Sequence, residues 1–407
     1  MRLNKISILG LGYIGIPLAI VLADKSYKVY GFDNDPNVIE NIKNLKIKIK
    51  EKDLLKKFKN KKVQKNFYVS NKITKSDVYI ICVPTPFNKK KLKPDLSAVI
   101  SAINKIINLL EEGNLIIIES TCPVGTTEFI KQIIYKKRKD FKKNSIRLAY
   151  CPERILPGNT LLELINNNRI IGGVDKQSSI HAKRLYKKFV KGSLNITSSE
   201  TAEMTKLVEN TYRDLNIAYA NELSMMCDKL NINVWKLIEL ANLHPRVNIL
   251  RPGPGVGGHC IAVDPWFLIS KNQKLSMLIH RARIINEKKI KWVINKIKKI
   301  IKDIKIGQKK RIIKIGFLGA SYKANSEDLR ESPSLKIINS FLNKDKIITY
   351  LAEPNIDKEK YKSLNIINSK LLTKKSDIIV ILVNHNEFKN LKIASNKKIL
   401  DISGLLN

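Results

Sequence analysis

Short blocks of β-branched and other apolar residues punctuate the first third of the chain: KISILGL, KVYGFD, VYIICVP, LIIIEST and IRLAYCP. Each is the length of one strand, and segments with helical spacing separate several of them. That alternation predicts a doubly wound parallel sheet. RIIGGV adds a further strand.

The pattern changes near residue 199. SETAEMTKLVENTYRDLNIAYANELSMMCDKLN reads as one long helix, with Met204, Leu207, Val208, Thr211 and Leu215 at helical spacing. Ser199, followed by Ala202 and Glu203, gives it an acidic, cap-like start. VWKLIELAN and MLIHRARIINEKKIKWVINKIKKI are helical as well. From Arg311 the strand pattern returns in RIIKIGFLG, KIITYLAEP, SDIIVILVNH and KKILDISG. No short-period repeat is visible. The predicted class is α/β: two Rossmann-like doubly wound domains joined by a central α-helical domain with a long connecting helix. The expected boundaries are 1–198, 199–305 and 306–407.

Composition changes this picture little. No apolar run reaches the roughly 18 residues of a membrane span. The N-terminal stretch is glycine-punctuated and lacks a small-residue cleavage site, so a cytoplasmic enzyme is expected. The net charge is +39, but Lys supplies 62 of the 75 basic residues and Arg only 13. Specific nucleic-acid readers favour Arg, and no zinc finger, RRM or homeodomain signature is present. A weak, salt-sensitive affinity for polyanions is expected, and no specific nucleic-acid partner. The five cysteines, at 82, 122, 151, 227 and 260, are scattered without a CxxC pair. That argues against a disulfide framework or a zinc site, and no metal is expected.

The first chemistry lies in ILGLGYIG, where Gly10, Gly12 and Gly15 follow a strand and open an apolar helix. Such glycines permit a tight turn, close approach of a pyrophosphate and helix–strand packing. The phosphates of a dinucleotide would meet the helix N-terminus. Asp33, at the end of the next strand, stands where an acid can hydrogen-bond the adenosine ribose and repel a 2′-phosphate. The predicted cofactor is therefore NAD.

The second lies in PGPGVGGHCIAVDP. Cys260 is either a small packed side chain or a nucleophile. Gly255, Gly257 and Gly258 precede it, which suggests clearance for a bulky substrate, and Asp264 lies four residues on. Spacing alone leads to an NAD enzyme with a candidate cysteine nucleophile. An aldehyde-oxidising step needs such a thiol, because its adduct can be oxidised to a thioester.

GLGYIG, CVPTP, ESTCPVGTTE, CPERILPGN, TAEMTKLVENTYRDLNIAYANEL, PGPGVGGHCIAVDP and YKANSEDLRESPS occur in that order along essentially the whole chain. In this the sequence resembles the UDP-glucose/GDP-mannose dehydrogenase family, which oxidises a sugar C6 alcohol to a carboxylate in two NAD-dependent steps. The resemblance implies a UDP-sugar substrate and gives each motif a role. Cys260 would capture the aldehyde. Lys206 and Asn210 would stabilise the oxyanion. Asp264 would order or activate the water that cleaves the thioester, with Thr121 and Glu153 holding that water and passing protons.

The resemblance also places the binding residues. Tyr13 and Ile14, between the glycines, together with Thr85, Pro86 and Thr121, would line the cofactor, and Arg330 would reach it as a cation. Arg154, Arg213, Gly257, Tyr322 and Lys323 would contact the sugar nucleotide. Arg246 would reach the substrate from a neighbouring subunit, which implies a homodimer. His244 and His259 are read as structural or contact residues rather than bases. Relatives specific for glucose often carry a second Glu four residues after the one matched by Glu153. Here Pro157 stands at that position, so the water must be held differently.

A reading of another class stays open, a non-catalytic NAD- or polyanion-binding protein. The lysine excess speaks for it, and the set Cys260, Lys206, Asn210 and Asp264 speaks against it.

Overall fold

A computed structural model describes residues 4–47, 49, 51–88, 93–142, 144–155, 158–308 and 312–406, without the side chains of 305–308. Pro157 and Arg311 lie outside the described residues. The chain folds as two compact units, Met1–Val208 and Glu209–Asn407, each described by itself.

The first unit is built on an eight-stranded sheet. Its strands are β1 (Lys5–Leu9), β2 (Lys28–Phe32), β3 (Phe67–Ser70), β4 (Val78–Ile81), β5 (Leu115–Ile118), β6 (Arg147–Tyr150), β7 (Arg169–Gly173) and β8 (Leu194–Ser198). The order is β8-β7-β6-β5-β4-β1-β2-β3. From β3 to β6 all pairings are parallel, the doubly wound dinucleotide-binding order. β7 then pairs antiparallel with β6, and β8 parallel with β7. The central strands β4 and β5 are buried at every position, which explains their unbroken apolar runs. The edge strands β3 and β8 were not signalled by the sequence. Each has one neighbour and is mostly half-buried or exposed, so neither needs a continuous apolar run.

Helix α1 (Gly15–Asp24) is buried from Gly15 to Ala23, which is why its sequence is apolar on all sides. Helix α2 (Thr126–Lys137) follows β5. Helix α3 (Ser199–Lys229) is the long helix read from the pattern. Its buried face differs from the expected one. Glu203, Leu207, Thr211, Asp214, Ala218 and Asn221 are buried, whereas Met204 and Val208 are each 43% exposed. Apolar spacing alone misplaced the face because four of its inward positions, Glu203, Thr211, Asp214 and Asn221, are polar. The cap is also corrected: the Ser198 hydroxyl accepts from Thr201 N, and Ser199 is already helical.

In the second unit, α4 (Val234–Ala241), α5 (Asp264–Lys271) and α6 (Met277–Gln308) follow the rest of α3. A parallel sheet then forms from β9 (Ile313–Leu318), β10 (Ile347–Ala352), β11 (Ile378–Ile381) and β12 (Lys398–Asp401), in the order β10-β9-β11-β12. Val293, Ile297 and Ile301 of α6 join its core with Ile315, Phe317 and Val380. Every strand expected in this region is present, as are all the expected central helices.

Candidate functional site

The glycine turn of the first unit is shaped by contact on two sides and openness on the third. Gly10 has φ +96°, and a Cβ there would lie 2.5 Å from Cys82 O. A Cβ on Gly15 would lie 1.9 Å from Gly10 O, so α1 packs onto the turn through a bare Cα. Among the described residues, no atom lies within 4 Å of where a Cβ on Gly12 would stand. These are the three separate jobs of a dinucleotide turn, and Gly12 leaves room for a pyrophosphate. Tyr13 is exposed, Ile14 is half-buried, and Leu11, Ile16, Val38, Ile42, Ile47 and Ile49 line an apolar pocket beside the turn. Asp33 braces the loop: Leu11 N donates to its Oδ2 at 2.8 Å and Asp35 N to its Oδ1 at 2.9 Å. The residues present fit a dinucleotide.

The C-terminal strand ends hold the other predicted residues of this unit. Thr85 Oγ1 donates to Thr121 O at 2.6 Å, tying the loops after β4 and β5 together. Pro86 is exposed beside it. Glu153, after β6, is buried; Arg169 Nη2 donates to its Oε2 at 2.6 Å and Arg154 N to its Oε1 at 2.6 Å. Lys206 Nζ donates to Glu153 O at 2.7 Å. The half-buried Arg154 places its guanidinium on Asn168 O.

Sequence reasoning missed the carboxylate behind this group. Glu119 is 1% exposed, accepts from the Tyr186 hydroxyl, and lies 3.5 Å from Arg169 Nη1. Burial pushes it up to about 7, against the pull of Arg169 and with the help of Glu153. Burial opposes the charge on Arg169, but Glu153 and Glu119 more than restore it. The only signal was an acid following the apolar run LIII.

In the second unit Cys260 is exposed and Asp264 buried. Val263 N and Asp264 N donate to Cys260 O at 2.9 and 2.8 Å, so thiol and acid share one turn at the start of α5. Asn210 Nδ2 donates to Asp264 Oδ2 at 2.5 Å, which brings the predicted amide and acid together. Gly258 N donates to Arg330 O at 3.1 Å. Arg330 is exposed and forks onto Asp328, with Nε to Oδ1 at 2.9 Å and Nη2 to Oδ2 at 2.6 Å. Burial works to raise Asp328, but these bonds hold it below the ordinary carboxylate range. His259 lies 3.9 Å from Asp328, and burial followed by the nearby Arg330 keeps it below the usual imidazole range. Tyr322 is half-buried and pushed up by burial, then by Asp328 and Cys260. Lys323 Nζ stands 5.8 Å over the Tyr322 ring. Arg213 is exposed; Arg246 is also exposed, and its backbone N–H donates to His244 Nδ1.

The glycine clearance expected before Cys260 is filled by protein. A Cβ on Gly257 would meet Pro333 Cδ, Glu331 O and Tyr322 Cβ within 2.8 Å. Gly255 faces Asn286 O and Ile290, and Gly258 faces the Tyr322 ring. These glycines let the thiol loop pack on residues 322–333 rather than leave room for a sugar. A second unforeseen set supports the loop from beneath. Gly253 N donates to Asn221 Oδ1, Asn221 Nδ2 to Asn286 Oδ1, and Asn286 Nδ2 with Arg283 Nη1 to Asp214 Oδ1.

Among the described residues, no group of three His, Cys, Asp or Glu could hold a metal ion. Among them, no helix is long and apolar enough to cross a membrane.

Comparison with known proteins gives a consistent result. Residues 4–190 match the NAD binding domain of the UDP-glucose/GDP-mannose dehydrogenase family, 200–288 its central domain and 316–407 its UDP binding domain. The chain is 45% identical to a UDP-N-acetyl-D-mannosamine dehydrogenase of Methanococcus vannielii, over 100% of this chain and 94% of that one. It is 42% identical to a protein of the same name from Yersinia pestis, over the full length of both. The solved UDP-D-ManNAc dehydrogenase of Pyrococcus horikoshii superposes with a TM-score of 0.88 at 36% identity, covering 99% of this chain and 96% of that one.

Proposed function

The chain belongs to the UDP-glucose/GDP-mannose dehydrogenase family, and from that premise we propose that it is a UDP-N-acetyl-D-mannosamine 6-dehydrogenase. It is an NAD-dependent oxidoreductase. The finer reading rests on full-length likeness to enzymes of that name and on HPRVNIL running into RPGPGVGGHCIAVDPWFL. The single observation that carries the chemistry is the turn joining the exposed Cys260 to the buried Asp264, itself held by Asn210.

NAD, when bound, takes up two electrons in each of two oxidations. Gly10, Gly12, Gly15 and Asp33 hold it, with Thr85 and Thr121 at the strand ends. Lys206 and Asn210 stabilise the oxygen at C6 as charge develops. The thiol of Cys260 adds to the aldehyde, and oxidation of that adduct leaves a thioester. Asp264 orders the water that follows. Its oxygen bonds to the acyl carbon as the C–S bond breaks; one proton reaches the thiolate through the carboxylates, and the other leaves as the acid ionises. Tyr322 and Lys323, with Arg154 and Arg213, grip the nucleotide sugar. The product is UDP-N-acetylmannosaminuronate, destined for enterobacterial common antigen or a related surface polysaccharide, made in the cytoplasm.

The enzyme is proposed to be a homodimer, with Arg246 serving the neighbouring substrate. Met204, Val208, Tyr212, Tyr219 and Met226 are all exposed along α3, an apolar stripe that a second copy would cover. The test is NADH release with UDP-ManNAc, UDP-GlcNAc and UDP-glucose side by side. A clear preference for UDP-ManNAc is expected; preference for either other sugar overturns the substrate assignment. Salt-sensitive polyanion binding without NADH release would favour the non-catalytic reading instead.

A further inference from the structure

Glu153 is the acid that the hydrolytic step calls on, and the structure places a second glutamate behind it. Arg169 lies between the two: Nη2 is 2.6 Å from Glu153 Oε2, and Nη1 is 3.5 Å from Glu119 Oε1. All three side chains are at most 6% exposed. One guanidinium therefore serves two carboxylates out of water. Two ionised glutamates and one arginine would leave a net negative charge in the interior, which is costly. The Tyr186 hydroxyl donates to Glu119, and the Arg169 guanidinium lies 4.8 Å over the Tyr186 ring. Among the described residues, no donor reaches the buried Glu119 Oε2, so that oxygen can carry a proton without displacing one.

We infer that Glu119 is a positioning residue for thioester hydrolysis, acting through Arg169 to set how much of the guanidinium's charge and fork is left to Glu153. The inference rests on the proposed dehydrogenase reading. It answers the question raised by Pro157: the second carboxylate comes from the end of β5 rather than from the loop after Glu153. When Glu119 carries a proton, Arg169 is committed to Glu153. When Glu119 ionises, the guanidinium is shared, and Glu153 is freer to accept a hydrogen bond from the water. Glu119 is faced by Arg169, Glu153 and Tyr186, and at longer range by the thiols of Cys82 and Cys151, both kept neutral by burial. Its own position near neutrality puts the change within the working range.

The test follows breakdown of the acyl adduct on Cys260 by intact mass, from about pH 5.5 to 8.5, in the parent, Glu119→Gln and Tyr186→Phe. The parent should show an ionisation near neutrality that speeds hydrolysis. Glu119→Gln should lose that ionisation and hydrolyse about tenfold more slowly at high pH, with the KM for the sugar unchanged. Tyr186→Phe removes a donor to the charged form, so it should keep the ionisation but move it upward. Profiles of the same shape in all three overturn the inference, even if Glu119→Gln is merely slower. Should Glu119→Gln fail to fold, the direction of the Tyr186→Phe shift decides alone. Should the parent oxidise no UDP-sugar, the dehydrogenase reading fails separately. The coupling is then read by infrared difference spectra of ¹³C-glutamate protein, where the band lost in Glu153→Gln should shift as Glu119 titrates. A stationary band overturns it.

Discussion

Asn210 Nδ2 lies 2.5 Å from Asp264 Oδ2, so the amide of the long helix spends a donor on the acid next to Cys260. The contact fixes a buried carboxylate whose backbone already closes the thiol's turn. Removing the amide should therefore disturb the acid before it disturbs binding. Asn210→Ala is expected to lower kcat about 10- to 100-fold, the scale of a misplaced acid–base group, and to change the sugar KM little. Acyl-Cys260 should accumulate, visible by intact mass. Asp264→Asn should show the same adduct more strongly, because the carboxylate itself is gone. Free aldehyde with no adduct in either variant would place the defect before thioester formation and sink this role for the pair.

The three glycines of the dinucleotide turn should respond differently to the same small change. Gly15→Ala puts a methyl 1.9 Å from Gly10 O, a backbone atom that cannot step aside cheaply. Loss of soluble protein or a large drop in Tm is expected. Gly12→Ala meets nothing within 4 Å among the described residues. Its Tm should be unchanged, while NAD affinity falls about tenfold or more, or at least 1.4 kcal/mol. Thermal melts and NAD titration of the two variants check this. A stable Gly12→Ala protein with normal NAD affinity would show that the cofactor does not approach there.

The sequence made the sheets legible because their interior strands are buried on both faces and so run unbroken in apolar residues. It made the dinucleotide turn legible because three backbone demands force three glycines at fixed spacing. Cys260 and Asp264 were found in one glycine-rich segment and Lys206 and Asn210 through the resemblance carried by motif order, and the structure joins Asn210 to Asp264 directly. What it hid is polar and buried. Asp214, Asn221 and Glu203 sit on the inward face of α3, at positions where a periodicity argument expects apolar side chains. Glu203 turns out to cap α2, accepting from Gly125 N and from Thr127 N and Oγ1. Glu119 and Arg169 were hidden for the same reason: each looks like a surface charge until the partner, distant in sequence, is brought beside it. The glycines before Cys260 were legible as a close approach, but not as an approach to Pro333 and Tyr322.

Lys289 gives a prediction about stability rather than catalysis. It is 2% exposed on α6, donates to Ser224 Oγ at 2.6 Å, and stands 3.9 Å over the Trp292 ring. Burial draws its amine down to about 7, with Asp228 opposing that and Lys296 adding to it. In the unfolded chain a lysine titrates near its ordinary value of about 10.4. Between those two values the unfolded chain binds a proton that the folded one does not, so stability falls as pH falls. The loss is complete once the folded amine has also charged, just below neutrality. It amounts to a few kcal/mol on the scale of about 1.4 kcal/mol per unit. Lys289→Met removes that loss while giving up one hydrogen bond and a ring contact, together about 1–2 kcal/mol. In urea unfolding the variant should therefore be the more stable protein near pH 6.5 and equal or less stable near pH 9.5. A difference from the parent that does not change between the two pH values would show that Lys289 stays charged in the fold.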